Sequence, residues 1–97
     1  MIIPAVIRSF KHKGLDLFFT KGDHRKIPAA PAARIERMLD RLDVSEHPAD
    51  MNLPGYRWHP LRGVQKGRYA CDVSGNERLT FAFDGKDAVE VDLEDYH

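Results

Sequence analysis

Two short stretches of this chain carry side chains that move protons near neutral pH. One is Arg57-Trp58-His59-Pro60-Leu61-Arg62-Gly63, and the other is the terminal Asp95-Tyr96-His97. An imidazole, as at His59 and His97, can serve as base or acid, and Asp95 can act as a base or as an acceptor that orients a neighbour. The remaining histidines, His12, His24 and His47, are scattered through polar segments. With one cysteine, Cys71, and no short-spaced ligand pairs, no zinc site is expected. Neither a glycine-rich phosphate loop nor a nucleophile motif is present. Each candidate has a plain alternative: a terminal Tyr-His is commonly a tail, and His59 before Pro60 can simply end a strand.

The elements that must hold these residues are readable from periodicity. Residues 2–10 are apolar and β-leaning, a first strand that Pro4 pushes toward a sheet edge or a strand start. Leu15, Phe18 and Phe19 fall at helical spacing, with Gly22 as the stop. After a turn, Pro28 or Pro31 can open a second helix whose Ile35, Met38, Leu39 and Leu42 form one apolar stripe. Arg34, Arg37 and Arg41 fall on its polar side, where a solvated, ion-paired face is the default reading. A polar loop follows, and then the period becomes two. Tyr69, Cys71 and Val73 alternate, as do Leu79, Phe81 and Phe83, around a hairpin turn at Ser74–Glu77. A second turn at Asp84-Gly85-Lys86 leads to Val89, Val91 and Leu93. Helices followed by an antiparallel meander predict an α+β fold, with the helices on the apolar face of the sheet. An extended last strand puts Asp95 and His97 on one face and Tyr96 on the other. Alternation aims Arg78 away from the Leu79, Phe81 and Phe83 face, available to a ligand unless it pairs with Asp72 or Glu77 across the hairpin.

Size and composition bound the rest. Ninety-seven residues are read as one domain, 1–97, able to bury roughly 60 to 65% of its unfolded surface without disulfides. The amino terminus resembles neither a signal peptide nor a membrane span, so a soluble, cytoplasmic protein is expected. The net charge of zero averages two unlike parts. Residues 1–68 hold 13 Lys and Arg against 7 Asp and Glu, a balance of +6, and residues 69–97 hold 2 against 8, a balance of −6. Either one surface is basic for a polyanion and another acidic for a second partner, or the two parts neutralise each other.

The stretches RWHPLRG (57–63), GRYACDVSGNERLTFAFDG (67–85) and AVEVDLEDYH (88–97), with IRSFKHKGLDLFF near the start, resemble the HigB-type toxins of bacterial toxin–antitoxin pairs, in the RelE/ParE superfamily. The resemblance implies a RelE-like fold of two helices on an antiparallel sheet. It also implies a ribosome-dependent mRNA endonuclease that enters the A site and needs no metal or cofactor. The implied partner is a HigA-like helix-turn-helix antitoxin, and no membrane is involved. The residues matching the family's active-site group are His59, Asp95, Tyr96 and His97. Metal-free RNA cleavage needs a base for the 2′-hydroxyl, an acid for the leaving 5′-oxygen, and positive charge at the phosphate. Arg62, Lys66, Arg68 and Arg78 can supply that charge, and Tyr96 can stack on a base. Two departures stand out. Arg62 replaces a common lysine, exchanging a compact ammonium for a planar fork. Glu77 replaces a frequent tryptophan, setting an acid beside Arg78. The alternative is a non-catalytic or ParE-like module of the same fold that acts through protein binding.

Overall fold

The structure, a computed structural model, describes residues 6–95. The chain forms α1 (Lys13–Lys21), α2 (Ala32–Asp43), β1 (His59–Pro60), β2 (Tyr69–Asp72), β3 (Glu77–Asp84) and β4 (Asp87–Asp95). Single 3-10 turns occur at Pro48–Met51 and Gly63–Gln65. Both predicted helices form. His12 caps α1 by accepting a hydrogen bond from the Leu15 amide at 3.1 Å, and Gly22 closes it. Pro31 takes the N-cap position of α2 rather than an internal one. Ile35, Met38, Leu39 and Leu42 are all fully buried. They pack in one cluster with Leu15, Cys71, Leu79, Phe81 and Val91, each large side chain contributing about 1.5–3 kcal/mol of burial.

The four strands form an antiparallel meander in the order β1-β2-β3-β4. Its register pairs Cys71 with Leu79 and Leu79 with Leu93 on the helix-covered face. The opposite face carries the alternate set: His59 beside Ala70, Ala70 beside Thr80, Asp72 beside Arg78, and Arg78 beside Glu94. An aromatic row braces the helix-covered side. Trp58 stacks on Tyr69 with ring centres 5.6 Å apart, and Tyr69 on Phe81 at 6.1 Å.

Strict alternation along the last strand fails at one residue. Thr80 pairs with Asp92 but Ala82 pairs with Val89, so β4 carries a β-bulge opposite Phe81, with Glu90 at a φ of 50°. Ala88, not Val89, therefore joins Val91 in the core, both fully buried, and Val89 shares the other face with Ala82. The bulge's backbone groups are satisfied from two sides. Ser9 Oγ accepts from the Glu90 amide at 2.8 Å, and Arg68 donates to the Glu90 carbonyl at 2.8 Å.

The expected first strand is realised in part: residues 6–11 run parallel along the outer edge of β4. Bridges form at Ile7–Ala88 and Phe10–Val91, with amide bonds from Arg8 to Ala88 and from Lys11 to Val91, each 2.8 Å. Pro4 and the rest of that expectation lie outside the described residues.

A non-glycine residue at positive φ stores about 1–2 kcal/mol of strain, more for a β-branched side chain. Glu90→Ile is thus expected to lower stability by about 1–2 kcal/mol, while Glu90→Gly stays within about 1 kcal/mol of the parent. Urea midpoints measure the difference, and equal midpoints for the two variants would rule out a left-handed residue at the bulge.

Candidate active site

The sheet face that the helices leave uncovered carries most of the candidate residues. His59 enters it from β1, the edge strand, and its placement starts in α2. Arg34, read from the sequence as part of a solvated helix face, is instead half-buried. Its guanidinium donates to the carbonyls of Gly55 at 2.8 Å and Asp72 at 3.0 Å, and lies 5.1 Å over the Tyr56 ring. The Asp72 amide then bonds the Tyr56 carbonyl at 2.7 Å. Arg57 follows with a φ of 52°, its Nε 3.4 Å from an Asp72 carboxylate oxygen.

The Arg57 carbonyl lies 2.9 Å from His59 Nδ1. A carbonyl only accepts, so Nδ1 carries the hydrogen, and the neutral ring keeps its lone pair on Nε2. A backbone position in the left-handed region thus leaves Nε2 as the open ring nitrogen of an exposed histidine.

Next to this edge, four side chains form one hydrogen-bonded line across the face. Arg68 donates to Thr80 Oγ1 at 2.9 Å. Because an arginine only donates, the Thr80 hydroxyl spends its own proton on Glu94 Oε2, at 2.8 Å. Arg78 reaches Glu94 Oε1 from the other side, at 3.0 Å from Nη2 and 3.3 Å from Nε. Burial pushes the Glu94 carboxyl up, but hydrogen bonds from Thr80 and Arg78, the Arg78 charge and a further bond from Gln65 outweigh it. The net pKa lies below the ordinary glutamate value.

Alternation correctly turns Arg78 away from the core, yet it does not stand in solvent: its side chain is 20% exposed against 21% for Glu94. Its ion-pair partner there is Glu94, and Glu77 is engaged elsewhere, with Ser74. Ser74 Oγ bonds the Glu77 carboxylate and accepts from the Glu77 amide at 3.1 Å, bracing the hairpin. Arg62 and Lys66 are exposed, flanking the Gly63–Gln65 turn between β1 and β2. Gly63 and Gly67 take the left-handed φ values of 68° and 97° that this tight reversal requires.

Asp95 is exposed and pairs in register with Glu77, in phase with Leu93 and therefore off the Arg78–Glu94 row. It is not brought against His59, since β1 and β4 are opposite edges of the sheet, three strand spacings or roughly 14 Å apart. Tyr96 and His97 lie outside the described residues. Glu94, Thr80 and Gln65 went unnoticed in the sequence. Pairing Arg78 with Glu94 by counting outward from the two turns finds the first two only if the bulge is known.

Cys71 is removed from any nucleophilic role: burial pushes its thiol up to about 12, and its Sγ lies 3.7 Å from the Met51 carbonyl. Among the described residues, no three His, Cys, Asp or Glu side chains gather as a metal-holding group, and no helix is long and apolar enough to cross a membrane. A groove of about 390 Å³ lies between α1 and α2, walled by Phe18, Phe19 and Leu39 with Glu36 and Asp40 at its rim, on the helix side of the molecule.

A family model described as the RelE-like toxin of the type II toxin-antitoxin system HigB matches residues 8–97. The chain belongs to that family. Endoribonuclease HigB of Proteus vulgaris is 40% identical over 92 residues, covering 95% of this chain and 100% of the relative. Toxin HigB-1 of Vibrio cholerae is 34% identical over 74 residues, covering 74% of this chain and 78% of the relative. Among solved structures, a copper-bound mutant toxin from Helicobacter pylori superposes with a TM-score of 0.51 at 13% identity, over 98% of this chain and 96% of that one, which shows the shared fold. Two helices on a four-stranded antiparallel sheet are thus the architecture of a HigB-family toxin, and a type II toxin has an antitoxin as its partner.

The network makes a pH-dependent statement about stability. A carboxylate whose folded-state pKa lies below its unfolded value of 4.5 stabilises the fold above that value, and the contribution is lost as pH falls through the folded pKa. Glu94→Gln is expected to be less stable than the parent near pH 7 and to lose less stability on acidification to about pH 3. Urea denaturation at the two pH values checks this, and parallel losses in both proteins would show that Glu94 is not held ionised.

Proposed function

We propose that this HigB-family toxin is a ribosome-dependent endoribonuclease that cuts mRNA by metal-free acid–base transfer. The observation that carries the reading is the match, over 95% of this chain, to a relative that bears the name endoribonuclease. The chemistry of the uncovered sheet face supports it. His59 offers Nε2 as a base within a field of guanidinium groups, and proton transfer by a positioned side chain is worth about 10² to 10⁴ in rate. Asp95, Tyr96 and His97 are the further candidates for the acid–base set, with Tyr96 stacking on a base and His97 giving or taking a proton. Arg62 and Lys66, exposed on the turn, hold the RNA backbone, and Arg68 and Arg78 place positive charge at the scissile phosphate. The partner that restrains the toxin is a HigA-like helix-turn-helix antitoxin, and the site of action is the ribosomal A site in the bacterial cytoplasm.

One observation favours a second reading. Glu94 already pairs with Arg78, which lowers the net charge of the face and suits a ParE-like module acting through protein binding. Induction without the antitoxin separates the two. The nuclease reading expects growth arrest with truncated messages, relieved by His59→Ala. Arrest with intact messages and damaged DNA would favour the second, and unchanged toxicity of His59→Ala would remove His59 from the site.

The turn makes a separate prediction. Arg62→Ala is expected to weaken RNA binding about equally across sequences and to reduce the salt slope of binding by about 1. A salt titration of RNA affinity measures this. A loss confined to one RNA sequence would mean that Arg62 reads a base rather than a phosphate.

A further inference from the structure

We propose that Glu94 is the positioning residue of the active face, collecting the cationic elements around one carboxylate so that they meet the RNA phosphate in a fixed arrangement. The inference rests on the nuclease reading above and deepens it. Two contacts carry it. Arg78 is held directly, through Nε and Nη2 on one oxygen. Arg68 is held through the fully buried Thr80 hydroxyl on the other. Gln65, the last residue of the turn that separates Arg62 from Lys66, lowers the pKa of the same carboxyl.

An acid amid phosphate-binding cations is unfavourable for affinity, since it repels the same phosphates. Its place here makes sense where orientation matters more than charge. A guanidinium on a long stem loses much rotamer freedom when it is fixed, and a charge-assisted bond made before the substrate arrives removes that loss from the reaction. The geometry also fixes proton directions. Arg68 can only donate, Thr80 has one proton to pass on, and the ionised carboxylate only accepts. A neutral amide at position 94 keeps one acceptor oxygen, so either Thr80 or Arg78 would face an N–H donor in place of an acceptor.

The consequence is a pair of effects with opposite signs. In E94Q, loss of the negative charge strengthens RNA binding about two- to fivefold, while loss of orientation lowers the maximal cleavage rate about tenfold or more. T80V keeps the charge, and is expected to lower the maximal rate with little change in half-saturation.

The experiment is single-turnover cleavage of mRNA on programmed ribosomes, with toxin concentration varied to separate half-saturation from maximal rate. It is accompanied by solvent exchange of the Arg78 Nε–H, read by NMR in the free protein, which should be faster in E94Q than in wild type. A maximal rate in E94Q at or above wild type would overturn the proposal, leaving Glu94 as a charge brake. Rate and binding lost together, in step with stability, would reduce it to a structural strut. If wild-type toxin leaves the mRNA intact, the nuclease reading fails instead. The Arg78 exchange still tests the positioning then, and equal exchange in wild type and E94Q overturns it.

Discussion

The arrangement of this molecule depends on one extra residue in its last strand. A strand with no bulge, started from the buried Ala88, would turn positions 90, 92 and 94 toward the helices and bury Glu94 in an apolar core. By inserting Glu90 opposite Phe81, the chain keeps Ala88, Val91 and Leu93 on the core side and delivers Glu94 to the face that holds Arg78. A charged group in the core without a partner would be untenable. The same group one register over becomes the acceptor at the centre of a polar network. The bulge also opens the outer edge of β4, where Ser9 takes the amide of Glu90 between the two parallel bridges of the amino-terminal segment. Core packing, edge protection and the composition of the uncovered polar face thus follow from one irregularity.

Charge is distributed by the same logic. The basic first two-thirds and acidic last third of the chain are interleaved more than separated. Arg8 pairs with Asp84 and Asp87 at the β3–β4 turn, Arg57 with Asp72, and Lys86 with Glu46. These are largely exposed pairs that contribute little to stability individually. Their effect is to neutralise the acidic strands where they meet the rest of the chain. Arg62 and Lys66 remain as exposed cations on the turn beside His59, so the electrostatic character of that edge comes from a few residues, not from the net charge of zero.

Much of this was legible in the sequence because helical periodicity and turn chemistry are local. The stripe at 35, 38, 39 and 42, the stop at Gly22 and the hairpin at Ser74–Glu77 are each decided by residues within a few positions of one another. The active face is a different matter. Arg68 reaches Thr80 and Glu90, and Arg34 reaches Gly55 and Asp72, contacts spanning 12 to 38 positions in the chain. No window of sequence shows them. Alternation gave Arg78 the correct direction, but its bond to Glu94 depends on the bulge in β4. Glu77, the acid beside Arg78 in sequence, bonds Ser74 in space.

The site is also built with unequal stiffness. At one side, His59 sits on a two-residue strand whose second residue, Pro60, cannot donate to the ladder. So short a strand is not self-supporting. Its position comes from the Trp58–Tyr69 stack beneath it and from the Tyr56–Arg57 backbone, tied to β2 by the Asp72 amide on the Tyr56 carbonyl and to α2 by Arg34. A left-handed arginine costs about 1–3 kcal/mol and persists only where the surroundings over-determine it. Here the cost is matched by a specific result, a carbonyl aimed at His59 Nδ1. At the other side, Asp95 lies at the end of β4, where residues 92–95 pair with β3 without interruption beyond the bulge. The line from Arg68 to Glu94 lies between the two edges and connects to both through the sheet. The place of His59 relative to the cations is therefore set by the left-handed backbone at Arg57 and the stack of Trp58 on Tyr69, at the β1 edge.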